Sequence, residues 1–356
     1  MKTIRLLRLG MVSPVRSQTC YHAAAYALGE NAPDTIILVS PSDPYVCIGF
    51  HQDLEKEVDV DYCRGRLLPI YRREVGGGAV YLDRNQLFAQ WVFRPSSLSA
   101  EVAERFRLYI EPLVLAYRAL GIDARYRPVN DIHVGHKKIG GTGAARIGRA
   151  EVVVGSIMFD FDRTAMARIL RVSSEKMRDK IHQSLEEYMT TLRDELGAPP
   201  DRPAVEALYL AQCARVLNAD IVSGEWTAEE EALARELDRR LESRDWLYQK
   251  GAMKQPGIKI HEDVKVHESS LKAPGGLIRL TLRLREGRID DLSITGDFTI
   301  FPRTAVIEIE EALRGTTAEP QTVLEVIREK YGDNRIQSPG LGPDDWAAAF
   351  SLALKS

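Results

Sequence analysis

From residue 278 to 285 the chain alternates without a break: Ile278, Leu280, Leu282 and Leu284 are apolar, while Arg279, Thr281, Arg283 and Arg285 are polar. Successive side chains of a strand point to opposite faces, so this pattern predicts a strand with one face buried and the other wet. Glu286 and Gly287 turn the chain into a second strand over about 289–294. Two amphipathic helices are expected next, over about 303–313, stopped by Gly315, and over 320–331. A strand pair followed by helices makes residues 258–356 a small α+β unit.

That unit is too small to be the whole molecule. At 356 residues the chain is too long for one average core and suits two domains. The run GAMKQPG, 251–257, is the natural connector, because both ends need turn residues and nothing in it is periodic. Residues 1–250 then form the larger domain. In it, 35–50 holds two short β-rich runs about a Pro/Ser/Asp turn, and further strand signals lie at 67–71, 79–82 and 88–93. A helix is expected over about 101–120, with Val102, Phe106, Tyr109, Leu113, Tyr117 and Leu120 on one face, Ser99 capping its start and Pro112 kinking it. A second β-rich section covers 131–134, Ile139 and 152–161, and from about 164 to 241 the pattern is mainly helical. Trp246 should pack the end of this domain.

With 44% apolar and 28% charged residues the composition is that of a globular protein, and the net charge of −3 gives no electrostatic footprint for nucleic acid or an anionic membrane. No run of about 18 apolar residues suggests a membrane span. Cys20, Cys47, Cys63 and Cys213 show no metal-ligand spacing, which predicts reduced thiols in a cytoplasmic protein.

Two segments carry chemistry. In the first, Arg72 and Arg73 precede Gly76, Gly77 and Gly78 by a few residues, and a β-run begins at Ala79. Consecutive glycines let the backbone approach a ligand with amides free for phosphate oxygens, and the arginines add bidentate donors. A glycine triplet standing alone also suits a hairpin tip flanked by solvated charges. The second segment opens on Asn130 and Asp131, passes Lys137 and Lys138, and returns through Gly140, Gly141, Thr142 and Gly143. A carboxylate here can hold Mg²⁺ or accept a proton from an amine, and a lysine can neutralise a phosphate. Read structurally, the same residues are a turn aspartate and exposed hairpin charges. A dinucleotide fingerprint fails, because Arg146 stands where its third glycine belongs. His133 and His136, three apart without a third ligand, make no metal site.

Together, RREVGGGAVYLD and NDIHVGHKKIGGTGA resemble the lipoate–protein ligases of the biotin/lipoate ligase superfamily. The resemblance extends upstream through IGFHQDLEKEVDVDYCRGRLLPIYRR and downstream through VVVGSIMFDFD and VSSEKMRDK. GGLIRLTLRLREGRIDDLSITGDF looks like the accessory domain of the long, ATP-dependent ligases. The resemblance implies an α/β fold, a class II synthetase-like mixed β-sheet flanked by helices, followed by a small α+β domain. It implies ATP and Mg²⁺ as cofactors, lipoate as substrate, and a lipoyl-domain acceptor protein as partner. That acceptor would be a dehydrogenase subunit, a glycine-cleavage H-like protein or a specialised lipoate-binding protein. By the same resemblance, Arg73, Val75, Gly76, Gly77, Gly78 and Ala79 would form the loop facing the lipoyl and phosphate groups. Asn130 and Asp131 would sit by the adenylate, Asp131 near Mg²⁺ or the acceptor lysine. Lys138 would be the catalytic lysine on the α-phosphate and acyl carbonyl, Thr142 and Gly143 would line the pocket, and Lys180 would lie on the adenylate-binding loop. Where the family writes Ser before the triplet and His-Asp after it, this chain has Val75 and Leu82-Asp83, which makes that side of the acyl site more apolar.

The expected reaction is activation of a carboxylate as its adenylate, then transfer to a lysine ε-amine, without an enzyme nucleophile. An octanoyl- or lipoyl-transferase needs an activated thiol in the second half of the site, and no cysteine lies between Cys63 and Cys213. A non-catalytic ligand-binding relative would have no need to keep Lys138, Asp131 and the glycine loop.

Overall fold

The computed structural model describes residues 2–30, 32–251, 264–332 and 335–355, so the connector expected at 251–257 lies, from residue 252 on, outside the described residues. With strands numbered along the chain, one eight-stranded sheet runs in the spatial order β11 (Ala219–Ser223), β1 (Lys2–Val12), β2 (Asp34–Pro41), β6 (Gln86–Phe93), β10 (Ala150–Met158), β9 (Lys137–Ile147), β8 (Asp131–Val134), β7 (Ala124–Arg127). β1 pairs parallel with β11 and β2, and the pairs from β2 to β7 are antiparallel. A three-stranded sheet, β4 (Ile70–Arg72), β3 (Tyr45–Ile48) and β5 (Val80–Leu82), sits beside it.

Every residue of β2 and β6 is buried, so both faces of the sheet must be covered. On one face Leu87, Ala89, Trp91 and Phe93 of β6 meet the helix Val102–Ala119 through Phe106, Tyr109, Ile110, Leu113 and Tyr117, with Tyr209 and Cys213 of the helix Arg202–Leu217 alongside. The first of these helices runs through Pro112, and Gly121 follows it at φ +86°. Ser99 does not cap that helix by itself: its Oγ accepts from Glu101 N–H, and Val102 N–H donates to Gln337 Oε1 from the far end of the chain. On the other face Phe88 and Val92 meet the helix Pro14–Tyr26 through Cys20, Tyr21, Ala24 and Ala25. The two faces take alternate residues of the same strands, as a period of two requires.

Residues 264–353 form an antiparallel sheet, β12 (Val264–Ala273), β13 (Gly276–Arg285), β14 (Arg288–Gly296), and three helices, Ala305–Leu313, Pro320–Tyr331 and Pro343–Ala353. Ile278, Leu280, Leu282, Ile289, Leu292 and Ile294 pack against Val306, Ile309, Val323, Ile327, Trp346 and Phe350 in a core of their own. The alternation of β13 breaks once. A register shift at Arg283/Leu284 buries Arg283, which binds Asp290, and leaves Leu284 half-exposed. Among the described residues no helix is long and apolar enough to cross a membrane.

Trp246 packs where expected, its Nε1 donating to Arg72 O at 2.8 Å under the Arg240 guanidinium. Arg72 corrects a sequence expectation. Adjacent strand residues point opposite ways, and Arg72 points into the protein, fully buried, donating to the carbonyls of Gly49, Phe50, Gln52 and Leu247. Burial pushes its pKa down to about 10. Replacing it would strand four buried acceptors. Arg72→Met should therefore cost about 3 kcal/mol of stability, read as a lower urea midpoint at unchanged slope. An unshifted midpoint would show that these carbonyls find other donors.

Candidate active site

The cavity opens on the face that carries the helix Pro14–Tyr26. It encloses about 400 Å³. Gln86, Phe88 and Gln90 of β6 and Val154, Ser156 and Met158 of β10, alternate residues along each strand, make its floor. Tyr21, Cys47 and Val80 close one side, and Phe161, Met166, Leu185 and Met189 lie across another. Such a largely apolar channel with a few amides suits an acyl chain.

At one part of the wall stands Lys138, whose Nζ lies 2.7 Å from Asp131 Oδ1 across neighbouring strands. Gly141 makes this reach possible: a Cβ there would stand 2.9 Å from Lys138 Nζ. Asp131 is not itself on the cavity wall but backs the lysine, with His133 Nε2 3.9 Å from its other oxygen. Burial, and then Arg127, push the His133 pKa below 6.5, so this histidine is neutral at pH 7. Asn130 and Thr142 lock each other: Thr142 N–H and Oγ1 donate to Asn130 O, and Asn130 Nδ2 donates to Thr142 O. These bonds hold Asp131 beside the glycine-rich strand that carries Lys138. Among the described residues no group of three His, Cys, Asp or Glu could hold a metal. A lone carboxylate already carrying a lysine is no preformed cation site, and Mg²⁺ here would be held mainly by nucleotide phosphates and water.

The glycine loop reaches the same cavity. Arg73, Val75, Gly76, Gly77, Gly78, Ala79, Asn130, Lys138, Thr142 and Gly143 all line it. Arg73 does not aim at a phosphate, however. Its guanidinium donates to the carbonyls of Gly76, Gly78 and Cys47 and so sets the loop's shape. Gly77 has φ +95°, open to glycine at no steric cost, and a Cβ on Gly49 would fall 1.9 Å from Gly77 O. The loop amides are not all free either, since Gly77 N–H donates to Phe298 O. Val75 is buried against Gly143, where a Cβ would meet its Cγ1 at 2.6 Å. Lys180 lies outside the cavity lining, on the exposed side of the helix Glu175–Tyr188, while Leu185 of that helix turns inward. Sequence reasoning missed the floor residues, because 86–90 and 154–158 carry no polar–apolar alternation to mark a face, and missed Gly49 and Asp297, which only tertiary packing brings to the loop.

Behind the loop, Glu74 is buried under Arg240, Arg303 and the Tyr26 hydroxyl, and its N–H donates to His22 Nε2 at 3.3 Å. Burial would raise the Glu74 carboxyl, but His22, Arg303 and Arg240 hold it below 4.5. Burial pushes the His22 pKa down from 6.5 to about 4, against the opposing pull of Glu74. An unfolded chain therefore binds the proton more readily, and stability rises with pH. The His22 contribution is full above about pH 6.5 and is lost as pH falls from there through about 4. Between pH 7 and pH 5, His22→Gln should remove about 2 kcal/mol of the stability loss seen in the parent chain by urea unfolding. Parallel pH curves for the two proteins would refute this account of His22.

Residues 20–214 match the lipoyl protein ligase A/B catalytic domain, and residues 266–338 the bacterial lipoate protein ligase C-terminus. Octanoyltransferase LipM of Kyrpidia tusciae is 31% identical over 275 residues, covering 70% of this chain and 100% of that protein. Lipoate-protein ligase A subunit 1 of Thermoplasma acidophilum is 32% identical, covering 68% of this chain and 95% of that subunit. Subunit 2 of the same ligase is 38% identical over 87 residues, covering 24% of this chain and 89% of its own length. The solved bipartite ligase from that organism, described with its E2 lipoyl domain, superposes with TM-score 0.64 at 28% identity, covering 69% of this chain and 96% of the other. A lipoate-protein ligase A bound with ATP superposes with TM-score 0.60 at 26% identity, covering 69% and 98%. The matched span carries the glycine loop, the Asp131–Lys138 pair and the strands that floor the cavity, and by it this chain belongs to the lipoyl protein ligase A/B family of enzymes.

Proposed function

We propose that this chain is an ATP-dependent lipoate–protein ligase, which activates lipoate or a related acyl acid as its adenylate and transfers it to a lysine of a lipoyl-domain acceptor. The observation that carries the reading is what the cavity offers: an amine, Lys138, and no activated thiol. Cys47 is the one cysteine on the described cavity wall; it is fully buried, and burial raises its pKa despite Arg73 nearby. Cys20 and Cys213 are pushed up to about 12 and Cys63 to about 11, chiefly by burial. The match of 266–338 to a ligase C-terminus supports the same reading, as do the matches to both subunits of a bipartite ligase. The octanoyltransferase relative, by contrast, aligns over its whole length with 70% of the chain. Residues 1–250 would be the catalytic domain and 258–356 an accessory domain joined by 251–257.

In this reading the acyl chain lies on the Phe88–Val154 floor with its carboxylate toward Lys138. The carboxylate attacks the α-phosphorus of ATP and pyrophosphate leaves. Lys138 neutralises the charge that develops on the phosphate oxygens. Its departure from Asp131 frees that carboxylate, which then takes the proton of the acceptor's ε-amine as it attacks the acyl carbonyl and AMP leaves. The apolar environment of Val75 and Leu82 favours the hydrocarbon part of the acid.

Two predictions separate the ligase from its rivals. Lys138→Ala should cut lipoate-dependent ATP–pyrophosphate exchange by roughly 10²–10³-fold while Lys137→Ala leaves it near the parent rate, because only one of the two amines reaches the reacting phosphate. Near-parent exchange in Lys138→Ala would remove that residue from the mechanism. Cys47→Ser should retain most of the ligation rate and show no acyl adduct on the intact protein by mass spectrometry. If instead the parent chain accumulates a thioester on Cys47 and the serine variant is dead, the protein is a transferase.

A further inference from the structure

The segment 296–303, between β14 and the helix Ala305–Leu313, lies directly against the glycine loop of the first domain. Gly77 N–H donates to Phe298 O at 3.4 Å, and a Cβ on Gly76 would stand 2.6 Å from that same oxygen. Gly296 N–H donates to His51 O at 3.0 Å, and the Phe298 ring stacks on the His51 imidazole at 5.0 Å. At the far end of the segment Arg303 binds the Glu74 carboxylate, which has no exposed surface, and its guanidinium lies 5.1 Å from the centre of the Phe50 ring. Phe50 N–H in turn donates to Val75 O at 3.0 Å.

Arg303 thus touches both supports of Val75: the residue before it in the chain, and the residue whose amide holds its carbonyl. We infer that Arg303, a residue of the C-terminal unit, positions the acid-binding loop of the catalytic domain by clamping Glu74. A loop of Val75 and three glycines has few side-chain contacts of its own, so it depends on holds from outside: Arg73 on the carbonyls of Gly76 and Gly78, and the anchoring of its ends. Its front end is Glu74. A buried carboxylate with two guanidinium partners and a tyrosine hydroxyl has one place to sit; with one guanidinium removed, it is drawn toward Arg240 or toward water. The displacement passes to Val75 and Gly76, the wall that meets the ligand. Arg303 lies outside the cavity lining and acts through Glu74, Phe50 and Tyr26, which itself donates to Glu74.

This inference rests on the ligase reading for what the loop binds, but not for how the loop is held. The test therefore has two arms. In the first, hydrogen exchange of the amides of 75–79 is compared in the parent chain, Arg303→Ala, Arg303→Lys and the control Arg328→Ala, which alters an exposed pair in the same unit. The loop amides should exchange about tenfold faster in Arg303→Ala, with β13 and β14 unchanged, and Arg303→Lys should recover much of the protection. In the second arm, pyrophosphate exchange should show KM for the acyl acid raised about tenfold in Arg303→Ala with kcat within about threefold, and partial rescue by lysine. Unchanged loop exchange in Arg303→Ala, or faster exchange spread evenly through both units, would overturn the assignment. Loop exchange that responds as expected in a chain without pyrophosphate-exchange activity would uphold the clamp and sink the ligase reading instead. Should the alanine variant not fold, Arg303→Lys against the parent supplies the same comparison, with a smaller change in the same amides expected.

Discussion

Three glycines in a row have no side chains with which to hold a shape, so the wall of this cavity is held from outside by hydrogen bonds to its backbone. Arg73 does most of this. One guanidinium takes the carbonyls of Gly76 and Gly78 on either side of Gly77, together with Cys47 O on the neighbouring strand. Gly49 permits the close approach, because a side chain there would collide with Gly77 O. Any residue but glycine at 77 would also have to adopt φ +95° and meet the Arg73 guanidinium. The loop is therefore rigid despite its composition, and its rigidity is stored in the surroundings rather than in the glycines. Such an arrangement is preorganised: the backbone is already where a ligand finds it, and little ordering remains to be done on binding.

Electrostatics divide the same site into two halves. Behind the loop, the Glu74 carboxylate is fully buried beneath two partly exposed guanidiniums and a tyrosine hydroxyl, so it fixes geometry and does no chemistry. On the cavity wall the Lys138–Asp131 pair is about one-third exposed on each side, and water screens its attraction. A screened pair can open when a stronger partner for the lysine arrives, and a phosphate is such a partner. Locking of Asn130 with Thr142 confines the freedom to the lysine itself, because the strand under Asp131 cannot shift without breaking those reciprocal bonds.

Much of the fold was legible because it follows from period. The alternation of 278–282 and the 3.6-residue spacing of the helix Val102–Ala119 appear where sequence patterning puts them, and only the register shift at Arg283/Leu284 departs from it in β13. The helix Pro14–Tyr26 was not legible: it is buried on nearly every side, so its sequence has no polar stripe to mark a face. β11 is a five-residue edge strand inside a stretch that reads as helical, and only its parallel pairing with β1 makes it a strand. In the site, the glycine loop and Lys138 were legible because each is a local cluster of residues suited to phosphate. The tasks of Arg72 and Arg73 were not, since two adjacent arginines read alike in sequence and diverge only when the strand points them to opposite sides. Asp297 and Arg303 come from more than two hundred residues away, and no local pattern reports a contact of that span.

The thiols bear on where the energy for acyl transfer comes from. A thioester route needs a thiolate within reach of the acyl carbonyl, and burial works against one at every cysteine of this chain. With a pKa of about 11, Cys63 is ionised in roughly one molecule in ten thousand at pH 7. Cys47 stands on the cavity wall, and the Arg73 guanidinium, which also holds the carbonyls of Gly76, Gly78 and Cys47, draws its thiol pKa down, but burial outweighs that pull. One arginine thus serves both the loop and the thiol, and burial still holds the Cys47 pKa above its ordinary value. In the ligase reading proposed above, a nucleoside triphosphate that meets Lys138 would activate the bound acid without asking the loop to move.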